Sequence, residues 1–201
     1  MNTLRLPLYL VFALLGALSF TACIEDDPIV IDEPPTPPPV EEFELRVDGD
    51  NFTAPQLPAG VHRFAVRFSE RQLLDFDGRE LVGMSVFMAP GATPEYLDLR
   101  VFGQGDAQPE DELALVTVDN LPRDLGRFIE YTFEEPVVID AESPLWLEAE
   151  VRLPTSQQTI GCDRPGSGVA GGDWLWSEDR WLPFSERTSE NVNWNIRGIV
   201  E

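Results

Sequence analysis

The side chains able to do covalent or acid–base chemistry are few. The chain of 201 residues holds one histidine, His62, two cysteines, Cys23 and Cys162, and no lysine. Cys162 and His62 form a thiol–imidazole pair in name only, because no local motif supports it and His62 sits in an alternating segment that reads as a strand surface. No HExxH, GxSxG or glycine-rich phosphate loop is present, and no zinc ligand set can be assembled. Carboxylates, by contrast, abound, with 36 acidic residues. Glu148 and Glu150, two apart, share one strand face and are the pair a carboxylate-based glycosidase would use. Arg152 on the same face makes a solvated charged surface the simpler account.

Two further groups could bind rather than react. Asp48-Gly49-Asp50-Asn51 begins like an oxygen-ligand loop for calcium, with Asp48 and Asp50 as the candidate ligands. Phe52 and Thr53 then break the pattern of an EF-hand. The segment 161–184 combines Gly166, Gly168, Gly171 and Gly172 with Trp174, Trp176 and Trp181 and the acids Asp163, Asp173 and Asp179. Aromatic faces beside mobile backbone suit a sugar-stacking or protein-binding surface, which makes Trp174, Trp176, Trp181 and Asp173 candidate ligand contacts. The competing reading is that Trp174 and Trp176 share a core face and Trp181 packs across a hairpin.

The charge balance excludes one class of partner. All 14 basic residues are arginine and the formal net charge is −22, so nucleic-acid binding and docking on anionic membranes through a basic patch are disfavoured. Acidity of this degree serves solubility in a salty or crowded exterior, or else divalent-cation binding, with calcium the natural choice for clustered carboxylates.

Cys23 has the most informative surroundings. Residues 1–22 carry Arg5, then an apolar run from Leu8 to Leu15, then small residues, as a secretory signal does. The run is short for a membrane span, which needs about 20 apolar residues. Leu18-Ser19-Phe20-Thr21-Ala22-Cys23 resembles a lipobox, with Phe20 an untypical member, so the expectation is a lipid on Cys23. Several acyl chains at about 0.8 kcal/mol per buried methylene anchor a protein stably. That modification leaves Cys162 without a disulfide partner, either an inert buried thiol or a reactive one. Ile24-Glu25-Asp26-Asp27 resembles an export signal for the outer face of an outer membrane. PIVIDEPPTPPP, from Pro28 to Pro39, favours a polyproline II rod of about 3.1 Å per residue. The expected organisation is a signal peptide over 1–22, a lipidated cysteine with an acidic, proline-rich stalk over 23–42, and one domain over 43–201.

That domain must position whatever the tryptophans and acids do. Period-two alternation predicts strands at 43–47, 61–68, 81–88, 97–101, 112–118, 127–133, 136–139, 145–151 and 194–200, those at 97–101 and 145–151 each with one wet face. Turn signals at Asp48-Gly49, Pro90-Gly91 and 103–105 separate them. Ser69 and Gln72 have capping-box spacing and Phe68 with Leu73 hydrophobic-staple spacing, predicting a single short helix that ends by Asp77-Gly78. The expected class is all-β, a jelly-roll-like two-sheet sandwich with one short helix, preceded by the signal peptide and proline-rich linker.

The order FDG (76–78), LVGMSVFM, YLDLRVFG, VVIDAESPLWLEAEV, GDWLW, RWLPF and NWNIRGIV is similar to a β-sandwich domain of bacterial surface lipoproteins and cleaved-adhesin proteins. The resemblance spans most of 61–200. It implies a non-catalytic jelly-roll module for adhesion or for binding a glycan or host protein, with calcium in some members, and it transfers no binding residue by position. The alternative from another class is a structural or accessory subunit of an envelope complex.

Overall fold

The computed structural model describes residues 43–201; the signal peptide, Cys23 and the proline-rich stalk lie outside them. The described chain is a β-sandwich of jelly-roll type, as the alternation predicted. Its strands are β1 (Phe43–Leu45), β2 (Gln56–Leu57), β3 (Gly60–Phe68), β4 (Glu80–Met88), β5 (Leu97–Gln104), β6 (Glu110–Val118), β7 (Arg127–Val138), β8 (Leu145–Leu153), β9 (Gln157–Gln158), β10 (Trp174–Ser177), β11 (Arg180–Pro183) and β12 (Ile196–Val200). One sheet runs β1-β12-β4-β7 and the other β11-β10-β3-β8-β5-β6, with β2 and β9 a separate small pair.

The core lies between the sheets. Phe64, Val66 and Phe68 of β3, Leu97, Leu99 and Val101 of β5, and Leu145, Leu147, Ala149 and Val151 of β8 meet Met84, Val86 and Met88 of β4 and Ile196 and Val200 of β12. Trp194 closes one end, edge-on to Phe64 at 5.1 Å between ring centroids and tilted against Phe184 at the same distance. Trp194 also donates from Nε1 to the Trp174 carbonyl at 2.8 Å, so this buried ring leaves no polar atom unpaired.

The segments predicted at 127–133 and 136–139 form one strand. Pro136 is tolerated inside β7 because that strand is a sheet edge. Helix α1 (Glu70–Leu73) starts where its spacing placed it, and one 3-10 turn over Leu74–Phe76 continues it. The Ser69 backbone N–H and hydroxyl donate to Gln72 Oε1 at 2.9 and 2.8 Å. Gly78 then takes φ +74°, the left-handed turn expected of it. A second short helix, α2 (Phe184–Thr188), was not expected from the sequence. His62 is buried, not on the strand surface: it lies on the inward face of β3 with Nε2 2.9 Å from the Pro58 carbonyl oxygen.

Candidate functional site

Strand β8 pairs with β3 on one side and β5 on the other, so its outward residues Trp146, Glu148 and Glu150 stand in the middle of the six-stranded sheet's outer face. The registers set Arg63 opposite Glu150, and Arg100 opposite Glu148. Cross-strand neighbours of opposite charge attract, and here they fold over the sheet. The Arg100 guanidinium meets Asp98 at 2.8 Å, Glu148 at 3.1 Å, Glu150 at 3.0 Å and Glu112 at 3.5 Å. Arg63 pairs with Glu150 and approaches Glu148 at 4.0 Å. The Tyr96 hydroxyl donates to Glu150 at 2.7 Å.

The wet face expected of β8 therefore does not exist. Trp146 is 0% exposed, Glu148 1% and Glu150 6%, because long side chains from both flanking strands lie across them. Burial pushes the Glu148 carboxyl up to about 7 against the pull of Arg63 and Arg100. Burial raises Glu150 as well, but the Tyr96 hydroxyl, Arg100 and Arg63 outweigh it and hold that carboxyl below its ordinary range.

The tryptophans continue this layer. Leu175 of β10 enters the core, which turns its neighbours Trp174 and Trp176 outward together. Trp181 lies directly across the hairpin from Trp176. The expectation of a shared face is met, but it is the outer face and not the core. Trp146 lies beneath, with ring centroids 5.3 Å from Trp174 and 6.3 Å from Trp181, and its Nε1 donates to the Gly105 carbonyl at 2.8 Å. The Arg63 guanidinium sits 4.9 Å from the Trp176 ring centroid, in cation–π range. Trp174, Trp176 and Trp181 are each half-buried, so each keeps an accessible face.

Asp173 does not join them. Its carboxylate accepts the Ser185 N–H at 2.9 Å and its carbonyl accepts the Phe184 N–H at 2.7 Å, which ties down the start of α2. Nor is the glycine-rich backbone before it loose. Asp163 receives two hydrogen bonds from Asn193, both at 2.7 Å, and Asn193 Oδ1 receives the Val169 N–H at 2.7 Å. Gly171 has φ +93°, and a Cβ there would stand 2.4 Å from the Arg67 carbonyl oxygen, so only glycine fits.

An open cavity of about 580 Å³ adjoins the shelf, walled by Trp174, Arg67, Arg71, Asp106, Gln72 and the backbone of residues 169–171. Arg67 is anchored by Asp106 at 2.7 Å and by the Gly105 carbonyl at 3.3 Å. Arg71 is exposed and makes no ion pair among the described residues.

The two proposed calcium ligands stand elsewhere. Asp48 and Asp50 line a second cavity of about 370 Å³ with Asp163 and Asn193. The Asp48 carboxylate is already committed, to Arg197 Nε at 3.1 and 3.0 Å and to Asn195 Nδ2 at 2.6 Å. Among the described residues no group of three or more His, Cys, Asp or Glu is arranged to hold a metal ion. Cys162 is buried, and burial together with Asp163 pushes its thiol up to about 12, the inert alternative of the two.

Sequence reasoning found the three half-buried indoles but not Trp146, Arg63, Arg67, Arg71, Arg100 or Tyr96. Alternation along 145–151 put Trp146 and the two glutamates on one face; which arginines cover them depends on strand pairing, which no single segment reveals.

The sequence matches no protein-family model and no curated protein. Among solved structures the fold is similar to the clostridial cysteine protease Cwp84 after propeptide cleavage, at 10% identity and a TM-score of 0.57 over 82% of this chain and 41% of that one. It is also similar to the structure of the cysteine protease and lectin-like domains of Cwp84, a surface layer associated protein of Clostridium difficile, at 10% identity and a TM-score of 0.51 over 73% of this chain and 33% of that one. The chain thus spans 33% to 41% of the structures it resembles, and at this identity the likeness is one of fold.

Proposed function

We propose that this chain is a lipid-anchored lipoprotein that displays a non-catalytic binding sandwich at the outer face of an outer membrane, and that the sandwich binds a glycan on the shelf of Trp174, Trp176 and Trp181. The observation that carries the reading is the shelf itself. Three indoles with accessible faces lie on one side of a sheet, supported from below by Trp146 and a buried arginine–glutamate network. Held side chains lose little freedom on meeting a ligand, which raises affinity at a given contact area. The likeness to structures that include lectin-like domains agrees with this use of the fold.

A glycosidase is the less supported reading. Its one carboxylate pair, Glu148 and Glu150, lies under Arg63 and Arg100 with 1% and 6% exposure, where a sugar oxygen has no approach. Anchoring is supported by the lipobox-like residues before Cys23 and by the proline-rich spacer after it.

The test uses the full chain in detergent on a glycan array, beside Trp176→Ala. Binding that drops about tenfold or more in the variant is expected, on the ordinary worth of an aromatic contact. An array that stays empty, or binding indifferent to Trp176→Ala, refutes the shelf. For the anchor, Cys23→Ser should move the protein from the membrane fraction to the soluble one; continued membrane retention refutes lipidation.

A further inference from the structure

Resting on that glycan-binding reading, we infer that the cavity beside Trp174 selects a sugar bearing a carboxylate, such as a hexuronic acid, through Arg67 and Arg71. The chain carries 36 acidic residues against 14 arginines, yet this cavity presents two arginines and one aspartate around an indole. Asp106 is engaged by one end of Arg67: Nη2 holds Asp106 and Nε holds the Gly105 carbonyl, which leaves Nη1 without a partner among the described residues. Arg71, exposed and unpaired among them, supplies a second guanidinium. The lining of this cavity therefore holds more arginine than carboxylate in a strongly acidic molecule, and planar guanidinium groups match a carboxylate's two oxygens.

Position fits the same ligand. Trp174 itself walls the cavity, so a ring stacked on that indole lies beside the two arginines. The cavity volume of about 580 Å³ falls in the range of small-molecule sites, about 300–1,000 Å³. Its backbone wall is firm, because the Arg67 N–H donates to the Gly171 carbonyl at 2.8 Å and the Gly172 N–H to the Val169 carbonyl at 3.0 Å.

The probes are polyuronate oligosaccharides and the same oligosaccharides after carboxyl reduction, titrated against the full chain in detergent, with Arg71→Gln and, as a charge-matched control away from the cavity, Arg123→Gln. The expected result is uronate binding weakened about tenfold or more, roughly 1.4 kcal/mol, by carboxyl reduction and by Arg71→Gln but not by Arg123→Gln. Equal binding of acidic and reduced sugars, or equal loss in both arginine variants, overturns the cavity assignment while leaving the tryptophan shelf standing. Failure of every glycan to bind overturns the shelf, and this inference with it.

Discussion

Replacing Glu148 by glutamine should make the protein more stable at neutral pH and should remove a pH dependence that the wild type carries. Glu148 is 1% exposed, and burial sets its carboxyl at about 7 against an ordinary 4.5. Between those two values the folded chain holds a proton that the unfolded chain has released. Stability from this group is therefore complete below pH 4.5 and declines as pH rises toward 7. At about 1.4 kcal/mol per pH unit the decline amounts to about 3 kcal/mol. The Glu148→Gln side chain keeps the shape and an oxygen for Arg100 but does not titrate, while Arg100 retains Asp98, Glu112 and Glu150 as partners. Glu150 does not blur the comparison, since its carboxyl is held below the ordinary range and its own transition lies at more acid pH. Urea unfolding followed by the fluorescence of the five tryptophans, at half-unit steps from pH 4.5 to 8, gives the difference between the two proteins. It should be near zero at pH 4.5 and grow to about 3 kcal/mol in favour of the variant by pH 8. Parallel curves, or a variant weaker at every pH, would show that the ionised carboxylate stabilises the fold and that the desolvation argument is wrong.

Two further outcomes follow from buried groups. Asp48→Ala leaves the Arg197 guanidinium, ion-paired at 3.0 Å, with the half-exposed Glu44 as its one remaining carboxylate among the described residues; a loss of about 3–5 kcal/mol in urea unfolding is expected, and a loss below about 1 would mean that the pair is dispensable. Cys162, with its thiol pushed up to about 12 and 2% exposed, should resist an aromatic disulfide reagent at pH 8 until urea unfolds the chain. Stoichiometric labelling of the native protein within minutes would contradict that burial.

What the sequence revealed and what it concealed divide along a physical line. Alternation finds a strand because it is local: Leu145, Leu147 and Ala149 against Trp146, Glu148 and Glu150 states which residues share a face. It does not state what covers a face. Two carboxylates beside an arginine read as wet, yet Arg63 and Arg100 arrive from strands more than 40 residues away in the chain and dry them. The β10–β11 hairpin entered only through the competing reading of the tryptophans, for another reason. Its turn residues Glu178 and Asp179 both have positive φ, +57° and +62°, a conformation whose usual sequence signal is Asn-Gly. Helix α2 was hidden because at five residues it is too short for any period, and because Asp173, which ties down its start, was read as a ligand contact. The tryptophans stood out by composition alone, but their outward direction came from Leu175 claiming the core.

The same covering joins the stability of the sheet to its proposed use. Arg63 faces two ways, toward Glu150 and Glu148 on one side and over the Trp176 ring at 4.9 Å on the other. Arg63→Met keeps much of the apolar stem but takes a cation from both. The Glu148 carboxyl should then move further up, since Arg63 is one of the two charges pulling it down. Trp176 should gain freedom, because a cation–π contact of about 0.5–1 kcal/mol no longer holds its ring. Near-ultraviolet circular dichroism reads that freedom directly, and glycan affinity reads its consequence. A weaker indole signal with weaker binding is expected, together with a loss of stability near pH 5, where Glu148 is protonated in either protein but the buried, ionised Glu150 has lost Arg63 as a partner. An unchanged spectrum with unchanged affinity would mean that the network beneath the shelf is mere filling, and that the indoles hold their places without it.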